Sequence, residues 1–175
     1  MNPKVGLVQV NYQFGNNVFL PHSVGLIRAY CETIPEIADK FDFLDFVYLR
    51  EDPLYVAQEL DSPNIIGISC YMWNWEWSKS LAKNIKALHP DCLVVLGGPQ
   101  VPVKSQDFFL KHPYADILVH YEGELIFADI LLEYLKGNPD YTEIPGLSVR
   151  LGGNSCFQTA SRERIDDPNR LPSPY

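Results

Sequence analysis

A five-stranded parallel α/β sheet of flavodoxin-like (Rossmann-like) type, with helices on both faces, is the fold the sequence predicts, and three observations carry it. Apolar runs without polar alternation, such as Ile65-Ile66-Gly67-Ile68-Ser69-Cys70 and Cys92 to Leu96, are what strands covered on both faces require. Segments of helical period alternate with them. Two runs also lead into glycine, at Gly97-Gly98-Pro99-Gln100-Val101 and at Tyr121-Glu122-Gly123-Glu124, the strand ends where open α/β sheets bind ligands.

Val5 to Val10 forms the first strand, and a polar-aromatic loop follows from Asn11 to Leu20. Pro21 opens the first helix, which the spacing of Val24, Ile27, Tyr30, Cys31 and Ile34 carries to about Ala38. Phe43 to Leu49 reads as the second strand, and Asp52-Pro53 starts a short helix ending near Leu60. The third strand, Ile65 to Cys70, leads to a helix from Trp73 to Leu88, with Trp73, Trp77, Leu81, Ile85 and Leu88 on one stripe and Pro90 as its stop. After the strand ending at Leu96 come a short helix at Ser105 to Lys111, a fifth strand at Asp116 to Val119, and a helix from Glu122 to Lys136 closed by Gly137. Leu147 to Arg150 and Cys156 to Thr159 flank Gly152-Gly153-Asn154, the chemistry of a hairpin turn, so a hairpin caps the sheet edge. The segmentation is therefore an α/β domain over 1–140, a hairpin extension over 141–160, and a proline-punctuated linker over 161–175.

A chain of 175 residues, 46% hydrophobic, buries one real core. No run approaches the roughly 20 apolar residues of a membrane span, and Met1-Asn2-Pro3-Lys4 enters a strand without a signal-peptide core, so a cytoplasmic protein without a membrane partner is expected. Cys31, Cys70, Cys92 and Cys156 include no close pair and read as reduced thiols; no metal ligands or catalytic residues are assigned. A net charge of -8 disfavours nucleic acid as a partner.

The strand ends also exclude familiar ligands. A receiver domain needs an aspartate where Ser69-Cys70 stand, and the Asn11 to Leu20 loop has neither GxGxxG, GxxxxGK[ST] nor the hydroxyl-rich loop of a flavin site. What remains is neutral glycine and the aromatic cluster Tyr71, Met72, Trp73, Asn74, Trp75 and Trp77, which suits a large, flat, mostly uncharged ligand. Trp73 and Trp77 read as core by their spacing, whereas Tyr71 and Trp75 lie off that stripe and are site candidates. The Ser69 hydroxyl either satisfies itself on the backbone or meets a ligand's ring nitrogen.

With Ile66 to Tyr71, Leu96 to Pro102, Gly123-Glu124, Ile144 to Leu147 and the final Leu171-Pro172-Ser173-Pro174-Tyr175, the chain resembles the N-terminal cobalamin (B12)-binding domain of B12-dependent radical SAM enzymes. Members include methyltransferases and the anaerobic magnesium-protoporphyrin IX monomethyl ester cyclase. The resemblance implies cobalamin at the carboxyl edge of the sheet, with its nucleotide tail beside Gly97 and Gly98. It also implies a radical SAM barrel beyond Tyr175 carrying CxxxCxxC, a 4Fe-4S cluster and S-adenosylmethionine, since no such motif occurs here. This segment alone is then expected to bind a cofactor without catalysing a reaction. The competing reading is a nonenzymatic flavodoxin-like sensor or partner-docking domain.

The cofactor-binding candidates are Asn11, Tyr12, Ser69, Cys70, Tyr71, Met72, Trp75, Gly97, Gly98, Pro99, Gln100, Val101, Tyr121, Glu122 and Gly123. Pro99 is expected to bias Gly98 toward extended geometry. His22-Ser23-Val24-Gly25 matches only the second half of the DxHxxG that places a histidine under cobalt in methionine-synthase-type domains, with Leu20 at the aspartate position. His22 is therefore expected on the first helix, with no histidine ligand to cobalt from this domain. His89, His112 and His120 are expected on the surface or in loops.

Overall fold

The computed structural model describes residues 1–175 apart from 13, 14, 16 and 154. The elements run β1 (Lys4–Val8), α1 (His22–Glu32), α2 (Pro35–Lys40), β2 (Asp42–Phe43), α3 (Pro53–Glu59), β3 (Ile65–Ser69), α4 (Trp75–Leu88), β4 (Leu93–Gly97), α5 (Gln106–Lys111), β5 (Ile117–Val119), α6 (Glu124–Tyr134), β6 (Leu147–Arg150) and β7 (Cys156–Gln158). They build one sheet in the order β2-β1-β3-β4-β5-β6-β7. The first five strands pair in parallel, and β6 and β7 continue the sheet antiparallel beyond β5. The flavodoxin-like order is thus the expected one, with the hairpin as two further strands. Gly152 and Gly153 take φ of 89° and 54°, as its turn requires; Asn154, expected in the same turn, lies outside the described residues.

Both faces of the sheet are covered, which is why the parallel strands lack alternation. On one face α3, α4 and α5 pack over Ile66, Ile68, Val94, Leu96 and Leu118. On the other, α1, α2 and α6 pack over Leu7, Ile65, Val95, Ile117 and Val119.

Several elements depart from expectation. The first helix breaks into α1 and α2 because Ile34, held at φ -97° and ψ 110° before Pro35, cannot continue it. The second strand shrinks to Asp42–Phe43 plus a bridge from Val8 to Val47. Phe43 sits opposite Val5 and Val47 opposite Val8, four steps against three, so one extra residue interrupts this edge. The stripe of α4 does not reach Trp73: the helix begins at Trp75 after Asn74, and Trp73 is exposed, whereas Trp77 is buried.

The 161–175 segment, expected as a linker, folds back on the domain. Glu122 accepts a 2.7 Å hydrogen bond from the Ile165 N–H. Arg162 pairs with Asp129, and Pro174 lies so close to α1 that a Cβ on Gly25 would sit 3.1 Å from it.

Candidate functional site

Where β1, β3, β4 and β5 end, a slot of about 260 Å³ opens between the sheet, α1 and α6. Its shape follows from register. Gly67 stands between Leu7 and Val95, and two residues further along the same strands Ser69 stands beside Gly97. Side chains two apart share a face, so these rows form a lower and an upper tier beneath α1 and α6. The Phe127 ring fills the space over Gly67, where a Cβ would meet it at 2.8 Å. At Gly97 a Cβ would find only Val119, at 3.5 Å, so the slot opens there. Around Gly67 the slot is lined by the apolar Leu7, Ile27, Val95 and Phe127.

Polar groups sit at the mouth. Ser69 is only 8% exposed, lines the slot, and its hydroxyl has no hydrogen-bond partner among the described residues. Opposite it, Ser23 Oγ and Tyr71 OH share a 2.8 Å hydrogen bond, and the Tyr71 ring stacks on Trp73 with centroids 4.6 Å apart. The rim is completed by Pro99, Tyr121, Glu122, Gly123 and Glu124. Tyr121 adopts φ 65°, a conformation rare for a large side chain and one that clusters at functional loops.

Two buried amides hold this mouth in place. Gln9, at the end of β1, accepts from the N–H groups of Ser23 and Val24 and so caps α1 from a neighbouring strand. Asn74 donates to the carbonyls of Val10 and Ser69 at 2.9 Å each and accepts from the Tyr71 N–H at 2.8 Å, tying the β1 and β3 ends to one loop. Gln9, Ser23 and Asn74 were not among the sequence candidates. Their signal was present: an amide interrupts the apolar run at Val8-Gln9-Val10, and another stands where the aromatic loop becomes a helix.

Gly98 departs from expectation. It takes φ 99° rather than an extended conformation, because the loop folds back with Gln100 N–H on Cys70 O and Val101 N–H on Gly98 O. A Cβ there would sit 2.6 Å from Cys70 O, so the backbone of Cys70 is what demands this glycine.

The candidates divide accordingly. Ser69, Tyr71, Gly97, Gly98, Pro99, Tyr121, Glu122 and Gly123 come together around the slot. Asn11, Tyr12, Met72 and Gln100 lie outside it; Tyr12, Met72 and Gln100 are exposed and Asn11 is half-buried. Cys70, Val101 and Trp75 do not line it either, because they pack on the opposite face of the sheet, Trp75 against Phe108. Burial pushes the Cys70 thiol up to about 12, which makes it inert. His22 is the exposed first residue of α1, as expected. His120, expected on the surface or in a loop, follows β5 in a loop but is buried, with Nε2 2.8 Å from Ser148 Oγ, and desolvation lowers its pKa. Among the described residues no three His, Cys, Asp or Glu side chains cluster as a metal site.

Among the described residues the slot holds an unpaired hydroxyl, on Ser69, and an unpaired buried carboxylate oxygen, Glu124 Oε2, and its apolar walls suit a flat aromatic group. The family model described as "B12 binding domain" matches residues 27–131, more than half of the 175 residues. The chain belongs to the B12-binding domain family. Over 157 residues, 90% of its length, this B12-binding domain is 42% identical to 2-(S-pantetheinyl)-carbapenam-3-carboxylate methyltransferase of Streptantibioticus cattleyicolor. It is 40% identical, over the same length, to the cobalamin-dependent radical SAM methyltransferase TokK of Streptomyces tokunonensis. The chain spans 23% of each of these relatives. The solved cobalamin-dependent S-adenosylmethionine radical enzyme OxsB, with aqua-cobalamin and S-adenosylmethionine bound, matches 98% of the B12-binding domain over 24% of its own chain. Its TM-score of 0.75 at 17% identity shows a shared fold.

Proposed function

We propose that this B12-binding domain is the cobalamin-carrying module of a larger radical SAM methyltransferase, and that the slot and its rim are the cofactor's berth. The relatives at 42% and 40% identity, both named as methyltransferases, support the parent activity. One observation carries the berth: Ser69, a residue 8% exposed at the mouth of an apolar slot, keeps a hydroxyl that none of the described residues bonds.

Bound cobalamin supplies organometallic chemistry that side chains lack, while the protein supplies position and a dry cleft. Ser69 offers a donor or acceptor at the slot mouth, and Gly97 leaves the space open. Tyr71 and Tyr121 border the opening, Gly123 adds backbone, and exposed Tyr12 and Met72 on the neighbouring loops offer apolar surface to the macrocycle. Cys70, Trp75 and Val101 act by packing. His22, exposed at the start of α1 and outside the slot, would take no part in holding the cofactor. The domain occupies 1–140, the hairpin 141–160 extends its sheet, and 161–175 leads from it toward the S-adenosylmethionine and 4Fe-4S half.

A docking or sensor role would leave the slot and the Ser69 hydroxyl without use. Reading the gene beyond the codon for Tyr175 tests the parent activity. A CxxxCxxC motif in frame, and cobalamin-dependent methyl transfer from S-adenosylmethionine by the anaerobically purified full-length protein, are expected. A reading frame without that motif contradicts the proposal.

A further inference from the structure

A second feature lies at the β2 edge of the sheet and shares no lining residue with the slot. β2 is the outermost strand on this side, so the far side of its backbone meets no neighbouring strand among the described residues. Between the chain that follows it, 44–49, and α3 runs an open groove of about 500 Å³. Phe46, Leu49, Tyr55 and Leu60 give the groove an apolar lining, and Leu49 and Tyr55 are left 47% and 49% exposed. Apolar side chains gathered in one exposed groove, rather than scattered singly, mark an interaction surface. The Arg28 guanidinium lies 5.4 Å from the Phe46 ring centre and holds that ring in place before anything docks.

The groove also has a sign. Asp45, Glu51, Glu59 and Asp61 border it, and among the described residues no lysine or arginine lines it. Asp61 pairs with Lys4 at 2.6 Å, whereas no ion pair reaches Asp45, Glu51 or Glu59 among the described residues. Those three are exposed, so their charge is available to a partner that brings the opposite one.

Charge and backbone together select the occupant. A second copy meeting this face across a two-fold axis would set carboxylates against the same carboxylates, in a chain whose net charge is already -8. Nor can a strand simply lengthen the sheet here, because the extra residue between Phe43 and Val47 breaks the ladder spacing, a device that protects open edges. Nucleic acid carries the wrong sign. What complements the groove is apolar side chains for its lining and cations for its border. We infer that the β2 edge groove is a docking site for a partner protein, which presents to it a short segment of apolar and lysine or arginine side chains. This inference is independent of the cobalamin berth.

The test screens the immobilised chain against a phage-displayed library of random peptides, then measures a synthesised hit by fluorescence anisotropy at low and at physiological ionic strength. Recovered peptides should combine lysine or arginine with leucine or aromatic residues, and their binding should weaken with salt. Tyr55→Ser, which removes an exposed aromatic anchor, should weaken the hit at least about fivefold, and so should Asp45→Lys combined with Glu59→Lys. Asp107→Lys, an exposed change on α5 outside the groove, should leave the affinity unchanged. Thermal melts check that each variant folds, and the charge pair decides the matter if Tyr55→Ser does not. Recovery of no peptide, recovery of peptides without basic residues, or equal affinity in the charge pair and the Asp107→Lys control overturns the inference. A chain that dimerises in solution and becomes monomeric in Tyr55→Ser also overturns it, since the groove then belongs to a second copy.

Discussion

Replacing Gly97 with valine separates the site from the scaffold. Gly97 ends β4 at an ordinary backbone angle, and a Cβ added there meets only Val119 Cβ at 3.5 Å, an ordinary contact. A β-branched residue suits a strand, so Gly97→Val leaves the fold's stability within about 0.5 kcal/mol of the parent. Its two methyl groups have nowhere to go but the slot, which measures about 260 Å³. Overfilling a close-packed site costs about 1–3 kcal/mol, or roughly 5- to 150-fold in Kd for a ligand that must fit there. Gly98→Ala is the matched control. At φ 99°, with its Cβ 2.6 Å from Cys70 O, it strains the backbone. That strain should cost about 1–3 kcal/mol of folding stability, roughly 2–12 °C in Tm for a domain of this size. Titration with hydroxocobalamin and thermal melts of both variants provide the assay. Unchanged affinity in Gly97→Val, or a fall in its Tm as large as that of Gly98→Ala, refutes the reasoning.

Further outcomes follow from the same geometry. Ser69→Ala should weaken hydroxocobalamin binding by about 2- to 12-fold, the worth of one hydrogen bond, with an unchanged melting curve because that hydroxyl has no partner among the described residues. Asn74→Ala leaves the Val10 and Ser69 carbonyls and the Tyr71 N–H unpaired, and chemical denaturation should show a loss of about 1–3 kcal/mol or more. His120 has a folded-state pKa below its ordinary 6.5 because burial disfavours its charge, so the unfolded chain binds the extra proton first. Stability is then full above pH 6.5 and falls as pH drops through that value, and urea titrations of His120→Asn should show a smaller fall than the parent. With its thiol pushed up to about 12, Cys70 should resist alkylation at neutral pH, while half-buried Cys156 is modified first, as peptide mapping would show.

Much of this was legible in the chain, for local reasons. Ile65 to Ser69 announces a doubly covered strand by composition alone, and its helix-bounded neighbours follow in order. Gly97 was readable as a gap at a strand end, and it opens into the slot. The break at Pro35 was equally local, yet the apolar period across Thr33 and Ile34 masked it. The same extrapolation placed Trp73 on the α4 stripe, when Asn74 beside it is committed to carbonyls of two strands. Long-range contacts leave no local trace. Ile165 N–H finds Glu122 across 43 residues, and nothing in the charged, proline-spaced tail marks that return. The burial of His120 likewise had no local sign, because its partner, Ser148, arrives only when β6 pairs with β5. Gly98 shows the converse error, for its need for φ 99° comes from the Cys70 backbone, a neighbour that only the folded loop supplies.

Desalting the chain after incubation with hydroxocobalamin and recording its visible spectrum tests the central claim most directly. The B12-binding domain should carry the corrin absorbance through the column at one cofactor per chain. A folded protein that elutes colourless contradicts the account.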